Sequence, residues 1–271
     1  GNLGQATNAA ANLVFDGGTL QYTGSTATSD RAFTINAAKT ATIDTANNLT
    51  LVGATGTATN GALTKTGAGT LTLTGTSTNT GTTTISAGTL QIGNGGTAGA
   101  LATGSAITNN ATLAFNRSDT ITQGTNFASV ISGSGAVTQA GSGTLVLSGA
   151  NTYTGATTVS TGVLNIQNAA ALGTTAAGTS VTSGAALQIQ GTITTSAEAL
   201  TLNGTGISND GALRNISNNN SYAGLVTLGS DTRINSDSGT LTLSNTGTIT
   251  GAGLGLTVGG AGTTEIRGII G

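Results

Sequence analysis

Residues 67–92 read GAGTLTLTGTSTNTGTTTISAGTLQI, and residues 141–166 read GSGTLVLSGANTYTGATTVSTGVLNI. The two stretches have the same length and align without a gap, with Gly, Leu and Thr at matching places. Self-similarity at a fixed spacing is typical of folds in which each unit stacks on the one before it. The duplicated stretch therefore predicts a stacked, solenoid architecture before any residue is considered singly.

A shorter period lies inside the duplicated stretch. The pattern GTLTL at 69–73 is followed by GTLQI at 88–92, and GTLVL at 143–147 is followed at the same spacing by GVLNI at 162–166. Related segments come next at 111–115 and at 185–189, and the segment at 239–243 has a counterpart at 262–266. One short strand about every 19–23 residues is the length expected for one rung of a parallel β-solenoid, so we expect roughly a dozen rungs.

Each strand alternates apolar and polar residues. Leu71 and Leu73 are predicted to face the interior, and Thr70, Thr72 and Thr74 to face water. An antiparallel sandwich would also alternate, but it needs a hairpin turn about every 8–12 residues. The Asn-Gly and Asp-Gly pairs are too sparse for that, which favours parallel rungs over a sandwich.

The composition fits a thin core that is repeated many times. The 271 residues include 45 Gly, only 6% charged and 3% aromatic residues, and no Pro, Cys, Met, Trp or His. The seven basic residues are scattered and the net charge is −2, which argues against nucleic-acid binding. No apolar stretch is long enough to span a bilayer, so this segment is not expected to insert into a membrane as a helix.

Corners between strands are expected to use glycine with positive φ and asparagine. Asn side chains stacked on successive rungs are predicted to bond to one another. The candidates are Asn47, Asn48, Asn109, Asn110 and the run 218–220. Unpaired strand edges at the ends of such a stack would pair with further rungs of the same or another chain.

The absence of His and Cys removes catalytic triads, thiol nucleophiles and the usual zinc sites. Carboxylates remain, and the densest group is Asp231, Arg233 and Asp237. It has two interpretations: a Ca²⁺ or sugar site, or a solvated turn with a local ion pair, which we favour. The same interpretation applies to Asp30 with Arg31 and to Arg117 with Asp119, so no catalytic residue, metal ligand or cofactor is predicted.

Three other features have structural explanations. The glycines at 67–69 and 141–143 precede strands and lack the lysine of a phosphate-binding loop, so they are predicted to be turns. The threonines at 70–74 and 55–59 resemble an ice-binding lattice, but 144–148 loses the pattern. The aromatic residues are too few for a stacking platform, and the four Phe are assigned to the core: Phe15, Phe33, Phe115 and Phe127.

Residues 65–75 and 79–90 strongly resemble the autotransporter-associated β-strand repeat, and the second copy, with Asn151-Thr152-Tyr153-Thr154-Gly155, resembles it more closely. The strong units are 65–92 and 139–166. The resemblance implies a right-handed, single-stranded parallel β-helix from the passenger of a large Gram-negative surface protein. It also implies an extracellular location, in stalks of adhesins or biofilm proteins. We expect residues 1–271 to be one continuous solenoid segment of a longer chain.

The predicted function is that of a non-catalytic stalk, with weak adhesion to surface glycans or proteins through Thr, Ser and Asn side chains. Three alternatives stay open at this point. They are a self-assembling extracellular filament, a carbohydrate-active β-helix enzyme that uses Asp231 and Asp237, and an ice-binding solenoid.

Overall fold

The computed structural model describes residues 7–128 and 130–271. Parallel strands are stacked as a β-solenoid of about 12 turns, which confirms the predicted fold class. Helix is limited to two short 3₁₀ segments in the described residues, Ala10–Asn12 and Ile207–Asn209. The chain divides into two compact units, Gly1–Ala136 and Val137–Gly271, which are treated separately below. The prediction of one continuous segment stays a prediction.

The described residues of the first unit form fourteen short strands. They are β1 (Val14–Phe15), β2 (Thr19–Tyr22), β3 (Ala27–Ser29), β4 (Thr34–Ile35), β5 (Thr40–Thr45), β6 (Leu49–Leu51), β7 (Ala62–Thr66), β8 (Thr70–Leu73), β9 (Thr83–Ile85), β10 (Thr89–Ile92), β11 (Ile107–Asn109), β12 (Thr112–Phe115), β13 (Thr120–Thr122) and β14 (Ile131–Ser132).

Two parallel stacks run through the first unit. One has the order β2-β5-β7-β9-β11-β14, and the other has the order β3-β6-β8-β10-β12. Each rung therefore contributes one strand to each stack, with a short turn between the two strands and a longer loop before the next rung. Leu71 pairs with Leu90 and Leu90 with Leu113, which confirms the predicted alignment of these three strands.

The second unit, all of it within the described part of the chain, contains fifteen strands, of which β15 begins at the last residue of the first unit. They are β15 (Ala136–Gln139), β16 (Thr144–Leu147), β17 (Thr157–Val159), β18 (Val163–Ile166), β19 (Thr179–Val181), β20 (Ala186–Ile189), β21 (Leu200–Gly204), β22 (Leu213–Asn215), β23 (Asn220–Tyr222), β24 (Val226–Ser236), β25 (Thr240–Leu243), β26 (Thr248–Ile249), β27 (Leu256–Gly259), β28 (Thr263–Ile266) and β29 (Ile269–Ile270).

The same two-stack arrangement recurs in the second unit. The stacks β15-β17-β19-β21 and β16-β18-β20-β22 both end on β24, an 11-residue strand long enough to pair with each of them. Leu145, Leu164 and Leu187 are in register, as predicted, and so are Leu241 and Thr264. The rungs lengthen here, since the next partner of Leu187 is Leu213, which lies further along the chain than the predicted period would place it. The predicted range of rung lengths is therefore too narrow for this unit.

The core is a column of aliphatic side chains. Leu49, Leu71, Leu90 and Leu113 stack in register in the first unit, and all are buried. Burying one such side chain stabilises the fold by about 1.5–3 kcal/mol, so many thin layers replace one wide core. The four Phe are also buried, as predicted, and Phe115 and Phe127 pack at 4.7 Å between ring centroids.

Glycine makes the turn between the two strands in both copies of the duplicated stretch. Gly88 and Gly162 occupy equivalent places, with φ of 67° and 61°. A Cβ at Gly88 would lie 2.4 Å from the carbonyl oxygens of Gly67 and Gly69. The turns therefore require glycine for its positive φ and for the close approach of the rung beneath. The glycines at 67–69 and 141–143 lie between strands, which agrees with the predicted turns.

Two sequence predictions about outward residues are wrong. Thr72 and Thr74 do not face water, since they are only 6% and 7% exposed. Thr72 stands between Thr50 and the longer Gln91 on adjacent strands, so neighbouring rungs enclose it. These threonines do not form the open lattice that an ice-binding surface needs.

The predicted asparagine corners also differ in detail. Among these positions only Asn218 has positive φ in the described chain, at 65°. Asn47 donates instead to the carbonyl of Gly24, at 2.9 Å, and Asn219 accepts the N–H of Thr240, at 3.0 Å. Side chains at these corners mostly bond to the backbone of a neighbouring rung, because the turn leaves peptide groups there without strand partners.

Candidate functional site

The acidic cluster predicted from sequence does not assemble into a carboxylate pair. Oδ1 of Asp231 accepts the backbone N–H of Gly255 at 2.7 Å. Asp237 forms an ion pair with Arg214 at 2.8 Å, and its Oδ1 accepts from Asn235 at 2.7 Å. No group of three His, Cys, Asp or Glu side chains suited to a metal ion occurs among residues 7–128 and 130–271. The ion-pair interpretation holds for Asp237, with a partner that sequence proximity did not identify.

The other two predicted ion pairs have different outcomes. Arg117 and Asp119 are paired at 2.7 Å, and the hydrogen bond from Arg117 lowers the pKa of Asp119. Arg117 is nevertheless buried, and its guanidinium also donates to the carbonyl of Gly99 at 2.5 Å. Arg31 is buried too and donates to the carbonyl of Thr7, so it does not lie in a solvated turn. The pair between Asp30 and Arg31 stays a prediction.

One buried carboxyl group was missed by sequence analysis. Glu198 is only 3% exposed, and its Oε1 accepts from the hydroxyl of Thr179 at 2.7 Å. Burial, partly offset by that hydrogen bond, raises the pKa of Glu198 to about 7. Tyr222 donates to the carbonyl oxygen of Glu198 at 3.0 Å, and Tyr153 bonds to Thr157 nearby in the same unit. Because these groups are enclosed in the core, a macromolecular substrate has no access to them, and we assign them to packing.

The tyrosines carry no surface platform. Tyr22, Tyr153 and Tyr222 are all buried. Burial is the main cause that raises the pKa of Tyr153 and of Tyr222. Sequence analysis expected too few aromatic residues for stacking on a ligand, and the burial of all three hydroxyphenyl rings agrees with that expectation.

A row of outward polar side chains crosses the second unit. Asn165 on β18 pairs in register with Gln188 on β20, Gln188 with Arg214 on β22, and Arg214 with Asn235 on β24. Gln167, Gln190 and Asp237 each follow one of these residues by two positions: Gln167 follows Asn165, Gln190 follows Gln188, and Asp237 follows Asn235. We call these seven residues the polar ridge. The parallel register brings residues that are far apart in sequence onto adjacent strands, about 4.8 Å from one another.

The amide half of the polar ridge is held by its own hydrogen bonds. Nε2 of Gln167 donates to Oδ1 of Asn165 at 2.9 Å. Nδ2 of Asn165 in turn contacts Oε1 of Gln188 and Oε1 of Gln190, each at 3.3 Å. Asn165 is only 4% exposed although it lies on the outer face, because the three longer glutamines surround it.

The charged half of the polar ridge is a network around Arg214. Its guanidinium pairs with Asp237 at 2.8 Å and with Asp210 at 3.0 Å. The hydrogen bond and the charge of Asp237 raise the pKa of Arg214, so the group stays ionised. Asn235 is 6% exposed and bridges Arg233 to Asp237 by accepting at 3.2 Å and donating at 2.7 Å. These contacts fix the orientation of each planar group.

The sequence held a signal for this surface. The fourth position of each GxLxI-like segment is Asn165 in one rung and Gln188 in the next, and the regular period aligns them. Arg214 and Asn235 could not be aligned with them in the same way, because the number of residues from Gln188 to Arg214 differs from the number from Arg214 to Asn235, and a uniform period does not allow for that.

No helix among the described residues combines the length and the apolar character needed to cross a membrane.

Comparison with known proteins identifies the repeat. The model of the passenger-associated-transport-repeat family matches residues 63–92 and 137–166. Each match runs from the first strand of a rung through the second strand of the next, from β7 to β10 and from β15 to β18. No solved structure matches the chain significantly.

A curated relative extends the similarity. The "Adhesin BmaC autotransporter" of Brucella suis biovar 1 (strain 1330) is 37% identical over 196 residues, which is 60% of this chain and 6% of the relative. The chain thus spans a small part of the length of the relative. Similarity to an autotransporter passenger implies a secreted or cell-surface protein. The matches to the repeat family and to the adhesin relative confirm the predicted resemblance of this chain to autotransporter-passenger repeat proteins.

Proposed function

We propose that the chain is a non-catalytic, adhesin-like passenger segment at the surface of a Gram-negative bacterium, where it extends the protein and contributes weak contacts along its length. The observation that carries the proposal is that both family-matched segments form the same pair of rungs. The repeat is thus part of the solenoid wall and not a catalytic centre present twice. The separation of Asp231 from Asp237 supports the non-catalytic role, since hydrolysis by carboxylates needs a convergent pair.

Adhesion is tested by attaching the purified chain to fluorescent beads and counting the beads that are retained on cultured mammalian epithelial cells under flow. We expect retention well above that of beads carrying an unrelated acidic protein of similar size. Retention equal to that control would contradict an adhesive role.

Catalysis is tested separately by incubating the chain with polysaccharides and measuring new reducing ends. We expect none. Turnover that disappears on Asp231→Asn and Asp237→Asn would instead establish the carbohydrate-active alternative.

The filament alternative is tested by analytical sedimentation at increasing protein concentration. End-to-end pairing of rungs predicts assemblies of many lengths whose mean size grows with concentration.

A further inference from the structure

We infer that the polar ridge of the second unit binds a neutral oligosaccharide, with Gln188, Gln190 and Arg214 as the groups that contact it. The inference rests on the proposed adhesive function and names the surface and the ligand class. Three observations support it: unused donors, a balanced charge, and the lack of an apolar anchor.

The unused donors are two side-chain amides. Oε1 of Gln188 and Oε1 of Gln190 both accept from Nδ2 of Asn165 at 3.3 Å, which restrains the rotation of each amide. Within the part of the chain that the structure describes, Nε2 of neither glutamine donates to another protein group, and both side chains are partly exposed. The two N–H₂ groups therefore belong to residues at neighbouring outward positions, at and just beyond the end of β20, whose Cα atoms are about 6.6 Å apart. Fixed polar groups of this kind orient a ligand with little loss of side-chain entropy.

The charge of this surface is balanced. Arg214 is paired with Asp237 and Asp210, and Arg233 contacts the same network through Asn235. Two guanidinium groups thus face Asp210 and Asp237, and the exposed Asp231 adds one carboxylate beside Arg233 on β24, so no strong field of one sign attracts an anionic or cationic polymer. Uncharged hydroxyl groups match such a surface, because they both donate to carboxylate and amide oxygens and accept from amide and guanidinium N–H groups.

A folded protein is a less suitable ligand for the ridge. Protein interfaces place aromatic, methionine or other apolar anchors at their centre. The ridge has amides and charged groups at its centre, and the tyrosines of the second unit are buried. An oligosaccharide needs no such anchor when it meets several fixed donors and acceptors about 4.8 Å apart on adjacent rungs.

The test uses the whole chain and an array of neutral oligosaccharides built from glucose, galactose and mannose, with heparin as the charged comparison. The strongest neutral binder is then titrated calorimetrically against the Gln188→Ala/Gln190→Ala double variant. Gln91→Ala is the matched control, because Gln91 holds the equivalent outward position in the first unit. We expect the double variant to weaken binding about tenfold or more, since two hydrogen bonds are lost, and the control to be unchanged.

A second variant separates binding from folding. Gln188→Glu/Gln190→Glu keeps the side-chain length and removes the donors, so we expect the same loss of affinity with an unchanged circular dichroism spectrum. The inference is overturned if no neutral oligosaccharide binds, if heparin binds preferentially with strong salt dependence, or if the double variants bind as tightly as the parent chain. If the oligosaccharide test fails but beads that carry the parent chain still adhere to cells, the proposed adhesive function is kept and only the ligand assignment is wrong. If beads that carry the parent chain do not adhere, the adhesive function itself is contradicted.

Discussion

One buried position, occupied by Lys65 in the first copy of the repeat and by Gln139 in the second, supplies a hydrogen-bond donor to the carbonyl oxygens of the glycine turn. Lys65 and Gln139 are equivalent in the two copies, and both are buried at the end of the strand that precedes a turn. Nζ of Lys65 donates to the carbonyl oxygens of Gly67 at 2.7 Å and of Ala87 at 3.2 Å. Nε2 of Gln139 donates to those of Gly141 at 2.8 Å and of Gly143 at 3.0 Å. Both copies place a long side-chain donor against turn carbonyls, and Gln139 shows that this donor does not need a charge.

The charge on Lys65 makes stability depend on pH. Burial, partly offset by attraction to Asp44, lowers the pKa of Lys65 from 10.5 to about 8. Between these two values the unfolded chain holds the proton more tightly than the folded chain, so the free energy of unfolding rises with pH. We expect Lys65 to contribute a gain of about 2 kcal/mol between pH 7 and pH 9.5, measured by urea denaturation as the difference between the parent chain and Lys65→Gln, because Glu198 and the buried tyrosines also differ in pKa between the folded and unfolded chain.

Two variants check the origin of that slope. Lys65→Gln copies the second repeat, so the rise of stability with pH that Lys65 causes should be lost while stability at pH 7 is kept or increased. Lys65→Met removes the donor as well and should be less stable than Lys65→Gln at every pH, because the turn carbonyls lose their partner. A rise of stability with pH that is as steep in Lys65→Gln as in the parent chain would show that a group other than Lys65 causes it.

At the scale of the element, local pattern was enough to predict strands and their partners. Leu71, Leu90 and Leu113 could be aligned from sequence because an apolar residue two places after a small turn residue must face the core in every rung. The register then follows from the two-residue period. The pattern could not predict the burial of Lys65. Its Nζ donates to carbonyl oxygens of two turns on adjacent rungs, and the positions of those oxygens follow only from how the rungs stack.

The longer rungs were also beyond prediction. The loop between β20 and β22 includes β21 and the 3₁₀ segment Ile207–Asn209, and the register between β21 and β24 shifts between Leu202 and Gly204. An irregularity of this kind inserts residues without changing which face is buried, so a search for a constant period passes over it. For the same reason the full polar ridge emerged only from the strand pairing.

The glycine turns supply a prediction at this scale. Gly88→Ala and Gly162→Ala should each lower the free energy of unfolding by at least about 2 kcal/mol, because a Cβ is strained at positive φ and strikes carbonyl oxygens at 2.4 Å. Gly104→Ala is the control: its Cβ would meet only Thr80, at 3.6 Å, and its φ is not positive. Chemical denaturation measures all three. If the turn variants were as stable as the control, glycine would not be what these turns require.

At the scale of the whole molecule, stability is expected to be local. Each layer of the core contacts the layers directly above and below it, as Leu187 does with Leu164 and Leu213. In such a chain the free energy is close to a sum of rung terms and nearest-neighbour terms. Damage to one layer should therefore lower protection in nearby rungs more than in distant ones, in contrast to a globular domain with one shared core.

Leu187→Ala and Leu63→Ala test that locality as a reciprocal pair, since both side chains are fully buried, one in each unit. Each should destabilise its own rungs by about 2–5 kcal/mol. Hydrogen exchange followed by mass spectrometry should show lost protection in β18, β20 and β22 for Leu187→Ala, with β5, β7 and β9 unchanged. Leu63→Ala should give the reverse pattern. Equal loss of protection throughout the described residues in both variants would show that the chain unfolds as one cooperative body, and the additive description would then be wrong.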